Sequence, residues 1–196
     1  MTLEYPKLQV ALDLRYLEDA LRIAEAAYKG GADFLEAGTP LIKSEGMKCV
    51  RELKKRFPDV VVVADLKTLD AGWMETEMAA QAGADIVSIS ALSNNNTVRD
   101  SVECAKKYGV KVMGDLIEVA EPIRRAVELE ELGVDYVCIH SGIDAQKDEE
   151  QKVDRKVDVI RKIIENVHLP VGVAGGINAG TVAKIVKTGA KIIIVG

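Results

Sequence analysis

The chain has 196 residues, a net charge of −5 and a composition that is 48% hydrophobic and 29% charged. This length fits one domain, and the apolar content suffices for a buried core, which excludes a disordered chain. The acidic balance argues against a nucleic-acid partner. No apolar stretch reaches the roughly 18 residues that a membrane span requires, so no membrane partner is expected.

The chain has three widely separated cysteines, Cys49, Cys104 and Cys138. Their odd number and spacing suggest neither a disulfide framework nor a zinc site, so we interpret them as buried thiols in a reducing compartment. The first residues are charged and contain Pro6 instead of an apolar signal segment. We therefore expect a cytoplasmic protein.

Short apolar runs alternate with segments of helical periodicity along the whole chain. Continuous apolar runs of this length are typical of strands that are buried on both faces, and their alternation with helices predicts a parallel α/β sheet. The predicted strands are Leu8–Leu12, Phe34–Ala37, Val60–Ala64, Ile86–Ala91, Val110–Met113, Tyr136–Ile139, Pro170–Ala174 and Ile192–Val195.

A short motif, Gly-Ala-Asp or a close variant, precedes every second predicted strand and recurs roughly every 50 residues, as expected for a repeated double βα unit. The copies begin at Gly31, Gly83, Gly133 and Gly189. Four such units predict a (β/α)8 TIM barrel of the phosphate-binding type, formed by residues 1–196 as one domain. The sequence ends directly after the eighth strand, so we expect the eighth helix to be absent from this chain, either through shortening or because another chain covers that surface.

Catalytic groups of such barrels lie at the carboxyl ends of the strands. The candidates at these ends are Asp13, Glu36, Asp65, Lys67, Asp70, His140, Asp144, Gly175, Gly176 and Gly196. An isolated aspartate at a strand end, such as Asp13 or Asp115, is often a helix N-cap, and we leave that alternative open. Two carboxylates and an amine within six residues after the third strand exceed what a structural role requires.

Two further signals favour a phosphate ligand and an acid–base group. Glycines let backbone N–H groups approach an anion closely, and Gly175-Gly176 follows the seventh strand, where this fold binds phosphate. His140 ends the sixth strand and is a candidate proton carrier, whereas His168 lies at the opposite rim and suits a structural role.

With these residues the sequence resembles the orotidine-monophosphate decarboxylase suprafamily, through the Asp-x-Lys-x-x-Asp motif of Asp65, Lys67 and Asp70. The resemblance covers essentially the whole chain. Glu36 resembles the acidic residue of the metal-dependent branches, where it joins the first aspartate of the motif in binding Mg²⁺. Those branches are the 3-keto-L-gulonate-6-phosphate decarboxylases and the 3-hexulose-6-phosphate synthases.

The segment after His140 is more similar to the synthase branch, because Ile143 occupies the position where the decarboxylases carry an arginine. That resemblance implies an aldehyde-lyase that joins formaldehyde to D-ribulose 5-phosphate, or the reverse cleavage, through an enediolate that Mg²⁺ stabilises. It further implies metal ligation by Glu36 and Asp65, catalysis by Lys67, His140 and Asp13, and a homodimer in which Asp70 reaches the neighbouring subunit's site. Asp144, Gly175, Gly176 and Gly196 would bind the substrate.

Other functions stay open at this point. Keto-gulonate-phosphate decarboxylation would use the same metal and enediolate. A Schiff base on Lys67 is disfavoured because flanking carboxylates would keep the amine protonated. A ribulose-phosphate 3-epimerase would need more histidine ligands than the two present. A catalytically silent phosphate-binding barrel or a truncated interaction module would account for the missing eighth helix.

Overall fold

A computed structural model describes residues 5–196, except for the side chain of residue 150. Eight parallel strands close into one barrel in chain order, with β1 paired to both β2 and β8. The strands are β1 (Lys7–Leu12), β2 (Phe34–Ala37), β3 (Val61–Thr68), β4 (Ile86–Ser90), β5 (Lys111–Asp115), β6 (Tyr136–His140), β7 (Val171–Ala174) and β8 (Ile192–Val195). The predicted barrel is confirmed.

The helices surround this barrel, and two of them connect β2 to β3. They are α1 (Leu17–Lys29), α2 (Thr39–Glu45), α3 (Lys48–Arg56), α4 (Gly72–Gln81), α5 (Asn95–Tyr108), α6 (Pro122–Leu132), α7 (Val157–Asn166) and α8 (Val182–Val186). Within the described residues only Gly196 follows β8, and no helix is long and apolar enough to cross a membrane.

The repeated glycine motif ends helices in the way that its sequence predicts. Gly31, Gly83, Gly133 and Gly189 have φ values of +87°, +95°, +94° and +97°, the left-handed conformation of a helix C-terminus. The aspartate two residues after each of the first three glycines accepts a hydrogen bond from the backbone N–H of the second residue of the preceding strand, as Asp85 does from Val62 at 2.7 Å. These carboxylates fix the amino-terminal rim of the barrel, opposite to the site described below.

Apolar side chains fill the barrel interior at this lower end, including Phe34, Ile86, Tyr136 and Ile192. A larger apolar layer lies between the strands and the helices. Gly72 at the start of α4 lets this helix approach α5 closely, since a methyl group there would lie 2.1 Å from the Thr97 carbonyl oxygen. Several polar side chains of the strands line the opposite, upper end of the barrel.

All strand bounds lie within two residues of the prediction except the end of β3. β3 continues to Thr68, four residues beyond the predicted end at Ala64, because its charged residues find partners at the barrel mouth and do not end the strand. The polar segment after β6 contains short 3-10 turns at Ala145–Lys147, Glu149–Gln151 and Val153–Arg155.

Candidate active site

A cavity of about 580 Å³ opens at the carboxyl ends of the strands. Eight of the ten residues that the sequence nominates line it, and these are Asp13, Glu36, Asp65, Lys67, His140, Gly175, Gly176 and Gly196. The cavity walls at depth are apolar, with Met113 and Ile194 among them. The barrel therefore gathers residues that are up to 183 positions apart in sequence, from Asp13 to Gly196, into one charged site.

Asp65 and Lys67 form the central ion pair of the cavity. The Lys67 Nζ lies 2.5 Å from Asp65 Oδ2 and 3.4 Å from Asp115 Oδ2. Asp65 is 5% exposed and also accepts hydrogen bonds from Ser88 Oγ at 2.7 Å and Thr39 Oγ1 at 2.8 Å. Burial would raise the pKa of Asp65, but Lys67 and these hydroxyl groups lower it, so the carboxylate is ionised.

The surrounding carboxylates also determine the protonation state of Lys67. Burial would lower the pKa of Lys67, but the carboxylates of Asp65 and Asp115 raise it above its ordinary value. The amine is therefore protonated, as the sequence argument against a Schiff base requires. A protonated Lys67 can donate hydrogen bonds to a negative oxygen but cannot attack a carbonyl carbon.

Glu36 lies next to this pair, on β2, and is 7% exposed. Its Oε2 accepts a hydrogen bond of 2.5 Å from Gln9 Nε2 on β1. Burial and the neighbouring charge of Asp65 raise the pKa of Glu36 well above its ordinary value. Without a cation beside it, ionisation of this buried carboxyl group is therefore unfavourable.

The raised pKa of Glu36 predicts that the stability of the metal-free protein depends on pH. Because the folded-state pKa of Glu36 exceeds its unfolded value, the folded state holds a proton that the unfolded chain releases, and stability falls as pH rises through that interval. Glu36→Gln, measured by thermal unfolding in EDTA, is expected to gain melting temperature over the wild type at about pH 8 and to gain less at about pH 5. An equal difference at both pH values would contradict this.

His140 is oriented by Asp115, a residue that the sequence left as a candidate N-cap. The His140 Nδ1 lies 2.9 Å from Asp115 Oδ2, and Asp115 Oδ1 accepts a hydrogen bond from the Ile117 N–H. If Nδ1 carries the proton in this pair, Nε2 is free to accept one. Asp115 is 3% exposed and contacts Lys67 as well, so it links the two candidate catalytic groups.

The glycine loop after β7 lies against the segment after β6. Gly175 and Gly176 have φ values of +108° and +72°, and a methyl group at Gly175 would lie 2.3 Å from the Ser141 carbonyl oxygen. Gln146 also contacts this carbonyl oxygen, since its Nε2 donates a hydrogen bond to it at 2.8 Å. The loop has no room for side chains, so its backbone forms the cavity wall.

Gly175→Ala tests the predicted phosphate loop. The substitution is expected to destabilise the fold by more than about 1 kcal/mol because of the positive φ, with an added penalty from the clash, and to weaken phosphate-ester binding. Gly31→Ala is the matched control, since Gly31 also has a positive φ but nothing within 4 Å of the new methyl group. Denaturant unfolding and calorimetric titration with a sugar phosphate measure both effects. Equal losses of stability and of sugar-phosphate affinity in the two variants would exclude a phosphate-binding role of the Gly175 loop.

The remaining candidates lie at different depths. Asp13 faces the cavity, and burial together with the charge of Asp65 raises its pKa. Asp70 is exposed and does not line the cavity of this chain. Asp144 also lies outside the cavity, with its carboxylate 2.6 Å from Lys147 Nζ. A role of Asp144 in substrate binding therefore stays a prediction that this conformation does not display.

The donor atoms near Glu36 suit a hard divalent cation. Within residues 5–196 no three His, Cys, Asp or Glu side chains converge to hold a metal by themselves. Mg²⁺ does not require such a cluster, because it is bound by one or two carboxylates and keeps several waters or substrate oxygens. The buried Oε1 of Gln9 has no hydrogen-bond partner, so a further oxygen is free beside the carboxylates. Glu36 and Asp65 therefore fit Mg²⁺.

The comparison with known proteins agrees with this geometry. The family described as Orotidine 5'-phosphate decarboxylase / HUMPS matches residues 6–196. The chain belongs to this family. A 3-hexulose-6-phosphate synthase of Bacillus subtilis (strain 168) is 35% identical over 190 residues, which cover 97% of this chain and 89% of that protein.

Solved structures of the orotidine 5'-phosphate decarboxylase / HUMPS family distinguish its branches. A crystal structure of a 3-hexulose-6-phosphate synthase has a TM-score of 0.91 and 36% identity, covering 97% of this chain and 89% of that chain. A 3-keto-L-gulonate-6-phosphate decarboxylase from Vibrio cholerae has a TM-score of 0.87 and 27% identity, covering 98% and 88%. The predicted family and the prediction of an enzyme are confirmed, and the synthase is the more similar of the two.

Proposed function

We propose that this chain is a Mg²⁺-dependent aldolase that joins formaldehyde to C1 of D-ribulose 5-phosphate, forming D-arabino-hex-3-ulose 6-phosphate, or cleaves that product. The observation that carries the proposal is the buried pair Glu36 and Asp65 with the protonated Lys67 beside it in the cavity. The names of the relatives supply the reaction. The apolar Ile143 at the cavity mouth supports the synthase branch over the decarboxylase branch.

The aldol reaction requires removal of a proton from C1 and stabilisation of the resulting enediolate. Glu36 and Asp65 would hold a Mg²⁺ ion, which would supply Lewis-acid stabilisation of the enediolate. His140 Nε2 would take the C1 proton, since Asp115 holds the opposite ring nitrogen. The Lys67 ammonium would donate a hydrogen bond to the negative oxygen, and C1 would then form the new bond to the formaldehyde carbon. His140 would return its proton to the former formaldehyde oxygen.

The remaining cavity residues would hold the rest of the substrate. The backbone of Gly175, Gly176 and Gly196 surrounds the side of the cavity where the fold binds phosphate. Asp13 would contact a sugar hydroxyl or orient Lys67. The three cysteines are free and buried, which fits the proposed cytoplasmic location.

We propose in addition that the enzyme is a homodimer with shared sites. An apolar patch surrounds Asp70 and consists of Leu69, Trp73, Met74 and Met78, with exposed fractions of 60%, 36%, 63% and 49%. Packing of this patch against a second copy would bring Asp70 close to the partner's cavity. Its carboxylate would then complete the site from outside.

Met74→Glu is expected to convert this dimer to monomers in sedimentation experiments, because it introduces a charge into the apolar patch. Ile23→Glu on α1, where the parent residue is 40% exposed, should leave the dimer intact. A monomeric wild type, or a dimeric Met74→Glu variant, would contradict the proposed interface.

The decisive assay for the activity combines Mg²⁺, ribulose 5-phosphate and formaldehyde, in parallel with keto-gulonate phosphate. Formaldehyde consumption that EDTA abolishes is the expected result. Equal or faster release of CO₂ from keto-gulonate phosphate would assign the chain to the decarboxylase branch. No reaction with either substrate would favour a non-catalytic barrel.

A further inference from the structure

Ser88 on β4 is a neutral, buried residue that contacts both members of the central ion pair. It is 3% exposed, lies at the cavity wall and has no role in the mechanism described above. We propose that Ser88 is a positioning residue, which fixes the backbone of Lys67 and the carboxylate of Asp65 with a single hydroxyl group. The inference rests on the proposed function for its catalytic consequence but not for its structural part.

The reason lies in the pairing of β3 with β4. Ala64 pairs with Val87, but the next recorded pair is Thr68 with Ile89, so the register shifts between them. Three residues of β3, numbers 65–67, therefore stand opposite the single residue Ser88. Such a bulge leaves backbone groups without their usual ladder partners and redirects the side chains that it carries.

The Ser88 hydroxyl replaces the missing ladder contact. Its Oγ accepts a hydrogen bond of 3.0 Å from the Lys67 backbone N–H and donates one of 2.7 Å to Asp65 Oδ1. A hydroxyl group can do both at once because it has one donor and two acceptor positions. An alanine at this position would leave the Lys67 N–H and a buried carboxylate oxygen of Asp65 without this partner.

The conformation of Lys67 makes this contact consequential. Lys67 has φ +47°, a left-handed value that is uncommon for a residue with a side chain and persists only when the surroundings hold it. This conformation brings Lys67 Nζ to 2.5 Å from Asp65 Oδ2. Ser88 therefore holds the backbone of one residue and the remaining carboxylate oxygen of the other.

The direct test is amide hydrogen exchange at the Lys67 N–H, followed by NMR in the full chain. Ser88→Ala is expected to accelerate exchange at Lys67 by at least about tenfold, with the other amides of β3 and β4 changed much less. Ser88→Thr keeps the hydroxyl and should retain the protection. Ser90→Ala, two residues along β4, is the matched control, because Ser90 Oγ accepts its hydrogen bond from Leu92.

An unchanged rate at Lys67 in Ser88→Ala would overturn the proposal. A uniform acceleration along both strands, or an equal effect of Ser90→Ala, would also overturn it, since either result would indicate packing alone. If Ser88→Ala does not fold, Ser88→Cys carries the same test, because the thiol has a similar size but is a weak donor and acceptor.

Mn²⁺ affinity, measured by calorimetry, tests the consequence for Asp65. Ser88→Ala should weaken Mn²⁺ binding by about 10- to 100-fold, which is the usual effect of losing a residue that orients a metal ligand, and should reduce kcat more than it raises KM. Unchanged Mn²⁺ affinity in this variant would overturn the role toward Asp65. A wild type that neither binds Mn²⁺ nor consumes formaldehyde would refute the proposed function, while the exchange rate at Lys67 would still decide the role of Ser88.

Discussion

Lys67→Met is expected to reduce kcat by about 10²- to 10³-fold, the usual effect of removing one donor to a developing oxyanion, with a much smaller change in KM. The ammonium lies between the carboxylates of Asp65 and Asp115 in the cavity, and the proposed mechanism assigns it the hydrogen bond to the enediolate oxygen. Steady-state formaldehyde consumption measures the effect. The loss should not be recovered at higher pH, because the methionine side chain cannot ionise.

The control for this variant uses another lysine–aspartate pair of the same barrel. Lys54 Nζ lies 2.8 Å from Asp85 Oδ2 at the amino-terminal rim, remote from the cavity. Lys54→Met should keep kcat near the wild-type value, although it removes a comparable ion pair. A raised KM with unchanged kcat in Lys67→Met would show that Lys67 only binds the substrate.

Asp65→Asn is expected to lower kcat/KM by at least roughly 10²-fold, since Lewis-acid stabilisation contributes several kcal/mol and each 1.4 kcal/mol corresponds to a factor of ten. The amide has nearly the same shape as the carboxylate, but only one of its two terminal atoms accepts, so it can keep only one of the hydrogen bonds from Ser88 and Thr39. It lacks the charge that a divalent cation and Lys67 require. Circular dichroism should show a folded barrel while the activity is lost.

Asp85→Asn provides the comparison for this second variant. Asp85 also accepts a backbone N–H and contacts a lysine, but at the opposite rim. The Asp85→Asn substitution should change the stability of the fold and leave turnover intact. Near-wild-type turnover of Asp65→Asn would exclude the metal role of Asp65.

The fold was predictable because its signals are local and repeated. Buried parallel strands leave continuous apolar runs, and the left-handed helix ends at Gly31, Gly83, Gly133 and Gly189 require a residue without a side chain. The positions of Glu36, Asp65 and Lys67 follow from counting strands, since all carboxyl ends meet at one mouth of the barrel.

The residues that the sequence missed act through partners remote in the chain. Asp115 does accept a local N–H, as an aspartate at a strand end often does, but its second oxygen pairs with His140. Gln9 and Ser88 are neutral, and their only signal is a polar residue within an apolar run. The left-handed turn of Lys67 depends on β4 and has no local signature.

Anomalous scattering from crystals grown with Mn²⁺ would locate the cation that Glu36 and Asp65 are proposed to bind. We expect one peak within about 2.5 Å of a carboxylate oxygen of both Glu36 and Asp65, which is the range for a hard cation on oxygen ligands. A cavity without a peak at saturating Mn²⁺, or a peak bound elsewhere with both carboxylates free, would contradict the proposed metal site.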